Sequence, residues 1–220
     1  MKTALIAGAT GLIGKQLLQL LLEDSSYEKV KVITRKPIEI KKLPASQAAS
    51  KFENIVLNFD KLSEHYAALK ADDVFCCLGT TIRIAKTKEA FRKVDYDYPL
   101  ELARITKSQG ATQYLLVSAL GADKNSGIFY NKVKGEVEEA IRQISFRSFR
   151  IFRPSLLLGV RTEHRSGEGA ATIFFKLFGL LIPTKYKAID SGKVARAMLT
   201  LAKENKPGFY FHESKEMQKY

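Results

Sequence analysis

The stretch LIAGATGLIGKQ, Leu5–Gln16, decides how the start of this chain folds. An apolar run leads into closely spaced glycines, and a segment with apolar residues at helical spacing follows them. A glycine-rich loop between a strand and a helix often binds phosphate, because backbone N–H groups at the start of the helix face the anion. Both the Walker loop of ATPases and the first turn of dinucleotide-binding folds have this form.

The Walker alternative fails at two positions. A Walker loop that ends at Lys15 requires a glycine at position 9 and a serine or threonine at position 16. The chain has Ala9 and Gln16 instead. The loop therefore lacks its first glycine and the hydroxyl group that would bind Mg²⁺.

The spacing of Gly8, Gly11 and Gly14 fits a dinucleotide-binding turn. In that turn the first glycine allows a sharp bend, and the second lets the backbone approach a pyrophosphate. The third lets the helix pack closely on the strand. The pyrophosphate then lies against free N–H groups at the positive end of the helix dipole. The sequence therefore predicts a dinucleotide site at this turn.

Apolar runs alternate with helical periodicity along the chain, which predicts an α/β protein with a Rossmann-type doubly wound parallel sheet and helices on both faces. No linker interrupts the pattern, so we expect one domain over residues 1–220, with substrate-side loops and a helix at about 155–190. The predicted strands are Thr3–Gly8, Lys29–Arg35, Asn54–Phe59, Asp73–Gly79, Gln113–Ser118, Ser148–Arg153 and Gly208–Glu213. The predicted helices are Leu12–Leu22, Pro99–Ser108, Phe129–Gln143 and Ser191–Lys203.

Composition excludes several functional classes. The 36 basic residues exceed the 23 acidic ones, but they are spread along the chain, so we do not expect specific nucleic-acid binding. The two cysteines, Cys76 and Cys77, are adjacent and form neither a disulfide framework nor a spaced metal site. The three histidines are far apart in the sequence, so we expect no metal.

The sequence also bears on location. The first apolar run is too short for a signal peptide, and the apolar patch IFFKLFGLLI, Ile173–Ile182, is too short to span a bilayer and is interrupted by Lys176. We therefore expect a cytoplasmic protein. The patch is interpreted as a helix that lines a substrate pocket, although it would also suit a partner or a membrane surface.

The end of the second strand indicates which dinucleotide is bound. An acidic residue there would bind the ribose 2′-hydroxyl of NAD, whereas a basic residue accommodates the 2′-phosphate of NADP. The chain has Arg35 and Lys36 and no acid at this point, which predicts NADP(H). Asp60, at the end of the third predicted strand, would accept a hydrogen bond from the adenine amino group or cap a loop.

A second group of residues indicates carbonyl chemistry. Tyr130 and Lys134 lie four positions apart on one face of a predicted helix, and Ser118 ends a strand upstream. We expect Ser118 to hold a carbonyl oxygen and Tyr130 to protonate it, with Lys134 acidifying the phenol. Lowering a phenol pKa from about 10 to about 7 requires about 4 kcal/mol, and one exposed ion pair supplies only about 0–1 kcal/mol. Lys134 must therefore act in a partly dry cleft, assisted by oxidised nicotinamide.

These residues resemble the atypical short-chain dehydrogenase/reductases, and most closely the Tat-interacting-protein-like oxidoreductases among them. The motifs that carry the resemblance are FCCLGTT (Phe75–Thr81), VDYDY (Val94–Tyr98), GADKNSGIFYNKVKGEVE (Gly121–Glu138), FRPSLLLG (Phe152–Gly159) and ARAM (Ala195–Met198). The chain departs from the family pattern at Ala119, where a serine is common, and at Ser155, where a glycine is common.

The resemblance implies an NADPH-binding domain with Tyr130 as the catalytic acid and Lys134 beside the nicotinamide ribose. It further implies cofactor contacts from Thr10, Leu12 and Ile13 in the first turn, Arg35 and Lys36 at the 2′-phosphate, Leu78 and Gly79 beside adenosine, Leu157 near the nicotinamide, and Arg165 near a phosphate.

The leading hypothesis is an NADPH-dependent oxidoreductase that transfers hydride to a small carbonyl substrate. One alternative is a non-catalytic NADPH-sensing regulator that binds a protein partner or a membrane surface; a partner protein or a homodimer would suit either role. A nucleotide-sugar epimerase is a further alternative, but the roughly sixty residues after Pro154 leave little room for the larger substrate domain typical of that class.

Overall fold

The computed structural model describes residues 1–38, 50–158 and 187–220. The strands are β1 (Lys2–Ala7), β2 (Tyr27–Thr34), β3 (Phe52–Val56), β4 (Asp73–Cys76), β5 (Gln113–Val117), β6 (Ser148–Arg153), β7 (Leu157–Leu158), β8 (Ile189–Asp190) and β9 (Gly208–Glu213). The α-helices are α1 (Leu12–Glu23), α2 (Ile82–Ala85), α3 (Lys88–Arg92), α4 (Tyr98–Ser108), α5 (Phe129–Arg142), α6 (Ser191–Lys203) and α7 (Ser214–Met217). A 3₁₀ segment covers Phe59–Leu69 and a π-helical turn covers Lys93–Asp97.

Seven strands form one parallel sheet in the order β3-β2-β1-β4-β5-β6-β9, and β7 pairs with β8 separately. The chain starts in the middle of the sheet, builds to one edge, and then crosses to build toward the other. This order is that of a doubly wound Rossmann sheet, in which ligands bind at the carboxyl ends of the strands where the order reverses. The predicted fold class is confirmed.

Helices cover both faces of the sheet because its strands are apolar on both sides. Along β1, Ala4 and Ile6 are buried against the layer that contains α1 and α6. The intervening residues Leu5 and Ala7 are buried against the opposite layer, which contains α4, α5 and the 3₁₀ segment. This two-sided burial explains why β1 is a continuous apolar run rather than an alternating one. Among the described residues, no helix is long and apolar enough to cross a membrane.

The predicted third strand is wrong at both ends. The strand covers Phe52–Val56, and Phe59 already begins the 3₁₀ segment. The side chain of Asn58 accepts a hydrogen bond from the backbone N–H of Asp60 at 3.0 Å and so caps that segment. This local capping ends the strand before the apolar run ends, which moves Asp60 from the end of a strand into the first turn of a helix.

The helical region between β4 and β5 was only partly predicted. Backbone angles stay helical from Arg92 to Tyr98, so α3, the π-helical turn and α4 follow one another without a break. Asp95 lies in the π-helical turn and is 1% exposed. Single π-turns within helices are frequent at functional sites.

A buried carboxylate joins the strands at the amino-terminal edge of the sheet. Asp73, at the start of β4, is fully buried. It accepts hydrogen bonds from the hydroxyl of Tyr27 at 2.8 Å, the ammonium of Lys2 at 3.0 Å and the amide of Gln113 at 2.9 Å. Burial, followed by the charge of Asp73, raises the pKa of Tyr27 far above its usual value. Strands β1, β2, β4 and β5 therefore share one polar anchor.

We predict that Asp73→Ala destabilises the fold far more than Lys2→Ala does. The substitution removes the acceptor of the buried Tyr27 hydroxyl and one of the two acceptors of the Gln113 amide, which keeps its hydrogen bond to the carbonyl oxygen of Ala202. Each buried donor left without an acceptor costs about 1–3 kcal/mol. After Lys2→Ala, the Asp73 carboxylate keeps its hydrogen bonds from Tyr27 and Gln113, and water can take the place of the partly exposed ammonium, so we expect the smaller loss of stability. Urea denaturation of the two variants tests this, and equal losses in the free energy of unfolding would contradict it.

Candidate functional site

The glycine turn after β1 requires glycine at its first and third positions. Gly8 has a φ of +83°, and a Cβ atom there would lie 2.5 Å from the carbonyl oxygen of Cys77. A Cβ atom on Gly14 would lie 2.1 Å from the carbonyl oxygen of Gly8. At Gly11 the nearest atom would be 3.3 Å away. Fold packing therefore accounts for two of the glycines but only weakly for Gly11, which is exposed at the start of α1.

The amino terminus of α1 is open to an anion. Its N-cap residue, Gly11, provides no side-chain cap, and its first turn contains no acidic residue. The first N–H groups of a helix have no partner within it, so they suit a phosphate. Thr10 is exposed and Leu12 is half-buried, whereas the side chain of Ile13 is buried. Any cofactor contact from Ile13 would therefore come from its backbone.

The two basic residues that are predicted to bind the 2′-phosphate follow β2 on a short loop. Arg35 and Lys36 are exposed, whereas Thr34 before them is buried. The side chain of Asn54, on the neighbouring strand β3, donates to the hydroxyl of Thr34 at 2.9 Å and accepts from the backbone N–H of Ile38 at 2.9 Å. Sequence analysis did not identify Asn54, because nothing in the sequence pattern links it to this loop.

Asp60 belongs to a surface cluster. One carboxylate oxygen lies 2.7 Å from the ammonium of Lys93 and accepts a hydrogen bond from the hydroxyl of Tyr98 at 2.5 Å. The hydrogen bond from Lys93, then that from Tyr98, lowers the pKa of Asp60. Burial, then the hydrogen bond to Asp60, raises the pKa of Tyr98 to about 12, while the charge of Arg35 acts against this rise. Arg35 thus faces this cluster, and an adenine contact from Asp60 stays a prediction.

The segment after β4 connects the glycine turn with the predicted catalytic lysine. The carbonyl group of Cys77 packs against Gly8, and Leu78 follows, half-buried. A Cβ atom on Gly79 would lie 3.5 Å from a carboxylate oxygen of Asp95 and 3.7 Å from the ammonium of Lys134. A single stretch of backbone therefore touches both groups of predicted site residues.

The two thiols at this point are desolvated. Burial raises the pKa of the Cys76 thiol, although hydrogen bonding to Tyr114 acts in the opposite direction. Burial, followed by the proximity of Cys76, raises the pKa of the Cys77 thiol well above its ordinary value.

Lys134 forms a buried ion pair with Asp95. Its ammonium lies 2.7 Å from one carboxylate oxygen, and the two side chains are 5% and 0% exposed. The other carboxylate oxygen accepts a hydrogen bond from the backbone N–H of Thr80 at 2.9 Å. Burial alone lowers the pKa of Lys134, but the negative charge of Asp95 outweighs burial and holds this pKa above its usual range. Sequence analysis missed Asp95, whose only signal is its place in the VDYDY motif.

In the sequence, Ser118 and Tyr130 lie between the two partners of this ion pair. Ser118 is 4% exposed, its N–H donates to the carbonyl oxygen of Phe152 at 2.8 Å, and its hydroxyl has no hydrogen-bond partner among the described residues. Buried hydroxyl groups are rarely left unpaired, so such a group is a candidate for a ligand contact. Tyr130 is half-buried in the first turn of α5, and its ring packs 5.5 Å from that of Phe91.

The chain after β6 carries the remaining predicted residues. Leu157 is half-buried in β7, where it pairs with Ile189. Ser155, which replaces a common glycine of the family, donates a hydrogen bond to the carbonyl oxygen of Lys187 and lies 2.8 Å from the hydroxyl of Ser214. Arg165 and the apolar patch Ile173–Ile182 lie outside the described residues.

The sequence matches known proteins over most of its length. A family model described as NAD(P)H-binding matches residues 8–205. The chain is 39% identical over 199 residues to Protein HTATIP2 of Rattus norvegicus, an alignment that covers 90% of this chain and 80% of that protein. It is 37% identical over 172 residues to Protein FMP52, mitochondrial, of Candida glabrata, which covers 76% of this chain and 69% of that protein.

Solved structures with the same fold are much more distant in sequence. The UDP-N-acetylglucosamine 4-epimerase of Methanobrevibacter ruminantium, solved in complex with UDP-N-acetylmuramic acid, superposes with a TM-score of 0.72 at 16% identity. The match covers 96% of this chain and 76% of that one. At this identity the likeness establishes the fold and nothing about the substrate.

The relatives correct the prediction of a cytoplasmic location. The names of FMP52 proteins from several fungi describe them as mitochondrial. The comparison therefore contradicts the cytoplasmic prediction, which rested on the short apolar runs of the sequence.

Sequence, fold and relatives now agree on one classification. The glycine turn opens a doubly wound parallel sheet, and the matched family and the rat relative cover most of the chain. The chain therefore belongs to the NAD(P)H-binding family, as an atypical short-chain dehydrogenase/reductase.

Proposed function

We propose that the protein is an NADPH-dependent oxidoreductase that reduces a small carbonyl compound, with Tyr130 as the proton donor. The observation that carries this proposal is the backbone segment Cys77–Gly79, which contacts Gly8 at one end and lies beside Lys134 at the other. The dinucleotide turn and the Ser–Tyr–Lys group therefore border the same edge of the sheet. A cofactor that starts at the turn would have its reactive end near the proton donor.

The residues present suit a nicotinamide dinucleotide. Gly11 places no side chain at the uncapped terminus of α1, and Ser118 has a buried hydroxyl without a partner among the described residues. The residues proposed to hold the cofactor are Gly8, Thr10, Gly11, Leu12, Ile13 and Gly14 at the pyrophosphate, Arg35 and Lys36 at the 2′-phosphate, Asp60, Leu78 and Gly79 around adenosine, Tyr130, Lys134 and Leu157 toward the nicotinamide, and Arg165 at a phosphate.

Each proposed catalytic residue has a distinct task. Ser118 would donate a hydrogen bond to the carbonyl oxygen of the substrate and orient it. Tyr130 would transfer its phenolic proton to the same oxygen. When bound, reduced nicotinamide supplies the hydride that the carbonyl carbon accepts. Lys134 would remain charged throughout, because Asp95 stabilises its ammonium in a buried position.

Electrostatics limit how strongly Lys134 acidifies the phenol. Its near-complete burial strengthens the effect of its charge, because charges interact more strongly away from water. Asp95 opposes that effect with a negative charge 2.7 Å from the ammonium. The ion pair as a whole therefore exerts a weaker field at the Tyr130 hydroxyl than an isolated ammonium would.

We expect Gly11→Ala to weaken cofactor binding and Gly14→Ala to destabilise the fold. A methyl group on Gly11 can be accommodated with a small shift of its neighbour, but it would lie where the pyrophosphate approaches the helix. Cofactor affinity should therefore fall about tenfold or more. The free energy of unfolding should change by only about 1 kcal/mol. A methyl group on Gly14 collides with Gly8 and should cost about 1–3 kcal/mol of stability. Calorimetric titration with NADPH and thermal unfolding measure the two quantities. Unchanged affinity in a folded Gly11→Ala protein would contradict the proposed site.

NADPH should raise the melting temperature more than NADH does, because Arg35 and Lys36 are exposed cations that attract the 2′-phosphate. Arg35→Asp should reverse this preference by replacing an attraction with a repulsion. Lys206→Asp, with the same charge change before β9 at the far edge of the sheet, is the matched control and should leave it intact. Equal shifts with both nucleotides in the unmodified protein would remove the basis for NADPH.

Tyr130→Phe should lower turnover of a carbonyl substrate by about 100-fold or more, the usual contribution of a general acid. NADPH affinity should stay within about twofold, since one hydroxyl group is lost from a large contact surface. Turnover is followed by NADPH absorbance over a panel of aldehydes and ketones, with the exposed Tyr66→Phe as control. Full activity in Tyr130→Phe would disprove the mechanism.

NADPH binding without turnover of any carbonyl would favour a non-catalytic sensing regulator.

A further inference from the structure

One side chain closes the loop that carries the basic pair. The amide nitrogen of Asn54 donates to the carbonyl oxygen of Val32 at 3.0 Å and to the hydroxyl of Thr34 at 2.9 Å. Its amide oxygen accepts from the backbone N–H of Ile38 at 2.9 Å. Thr34 comes directly before the segment Arg35–Pro37, and Ile38 comes directly after it. Asn54 therefore connects the two ends of the exposed three-residue loop Arg35–Pro37.

The two ends of this loop are held differently. At the first end, the carbonyl oxygen of Thr34 also accepts a hydrogen bond from the backbone N–H of Leu57 at 2.9 Å. At the second end, the hydrogen bond from Ile38 to Asn54 ties the returning chain to β3. Pro37 adds stiffness, because its ring fixes φ. The path of the loop thus depends on one amide more than on backbone pairing.

The exposure of the cations makes this anchoring important for binding. Arg35 and Lys36 are exposed, and exposed ion pairs are weak because ordering the side chains and screening by salt offset the attraction. A loop that is already fixed loses less conformational freedom when a phosphate arrives. Two cations held near one another would then act on a single dianion.

We infer that Asn54 is a positioning residue for the 2′-phosphate site, and that its clamp on the Arg35–Pro37 loop contributes to the preference for NADP(H) over NAD(H). The inference rests on the proposed function, since it requires that this loop bind a ribose 2′-phosphate. Asn54 itself would not touch the phosphate and would act only through Arg35 and Lys36.

The test compares 2′,5′-ADP with 5′-AMP by calorimetric titration, because the two probes differ only in the 2′-phosphate. Asn54→Ala should reduce the ratio of the two affinities about five- to tenfold, which corresponds to ordering one or two extra side chains on binding. The affinity for 5′-AMP should change by less than about twofold, because its proposed contacts at the glycine turn and around adenosine do not include the Arg35–Pro37 loop. Glu53→Ala, the adjacent β3 position paired with Lys29, is the matched control and should leave the ratio unchanged.

A second variant and a double-mutant cycle separate positioning from general damage. Thr34→Val removes one contact of the clamp while leaving Asn54 in place, and it should lower the same affinity ratio by a smaller factor. This variant provides the test if Asn54→Ala does not fold. In a protein that already carries Arg35→Ala and Lys36→Ala, Asn54→Ala should have no further effect on the ratio. Such non-additivity is expected only if Asn54 acts through the two cations.

The outcomes distinguish this inference from the proposed function. If the unmodified protein binds both probes equally, the preference for NADPH fails, and the role of Asn54 fails with it. If the unmodified protein prefers 2′,5′-ADP and Asn54→Ala keeps the same ratio, only the inference about Asn54 is overturned. If Asn54→Ala weakens both probes by the same factor, Asn54 has a purely structural role and the inference is also overturned.

Discussion

The candidate site is organised around the buried ion pair between Lys134 and Asp95. It joins α5 to the π-helical turn, and its carboxylate also binds the backbone at Thr80 after β4. Removing one partner of a buried ion pair leaves an uncompensated charge and typically costs about 3–5 kcal/mol. The pair therefore requires three parts of the chain to come together in one arrangement. That arrangement brings Gly79 beside the ammonium.

The same ion pair has a chemical consequence. A buried lysine without a partner tends to lose its proton, because burial disfavours the charged form. Asp95 prevents this and keeps the ammonium charged and fixed in position. It also partly cancels the field of that charge at Tyr130. The fold thus stabilises the charge of the lysine while weakening the field of that charge at the Tyr130 hydroxyl.

The sequence predicted those features that depend on local pattern and spacing. The glycine turn, the boundaries of β6 and α6, and the parallel sheet follow from short-range periodicity, and they agree with the structure. Asp95 and Asn54 were missed because their importance arises from contacts between residues distant in the chain. The end of β3 was misjudged for a different reason, since the cap at Asn58 outweighs the apolar run that continues to Phe59. The roles of Ser118 and Tyr130 follow from chemistry and still require the kinetic experiments.

Burial disfavours the thiolate form of the adjacent cysteines at the end of β4. Only the deprotonated sulfur reacts readily with peroxides, disulfides or alkylating reagents. The fraction of thiolate at Cys76 and Cys77 is therefore lower than at an exposed cysteine. The carbonyl group of Cys77 packs directly against the glycine turn. We therefore expect thiol reagents to react slowly at the two sulfurs beside this turn.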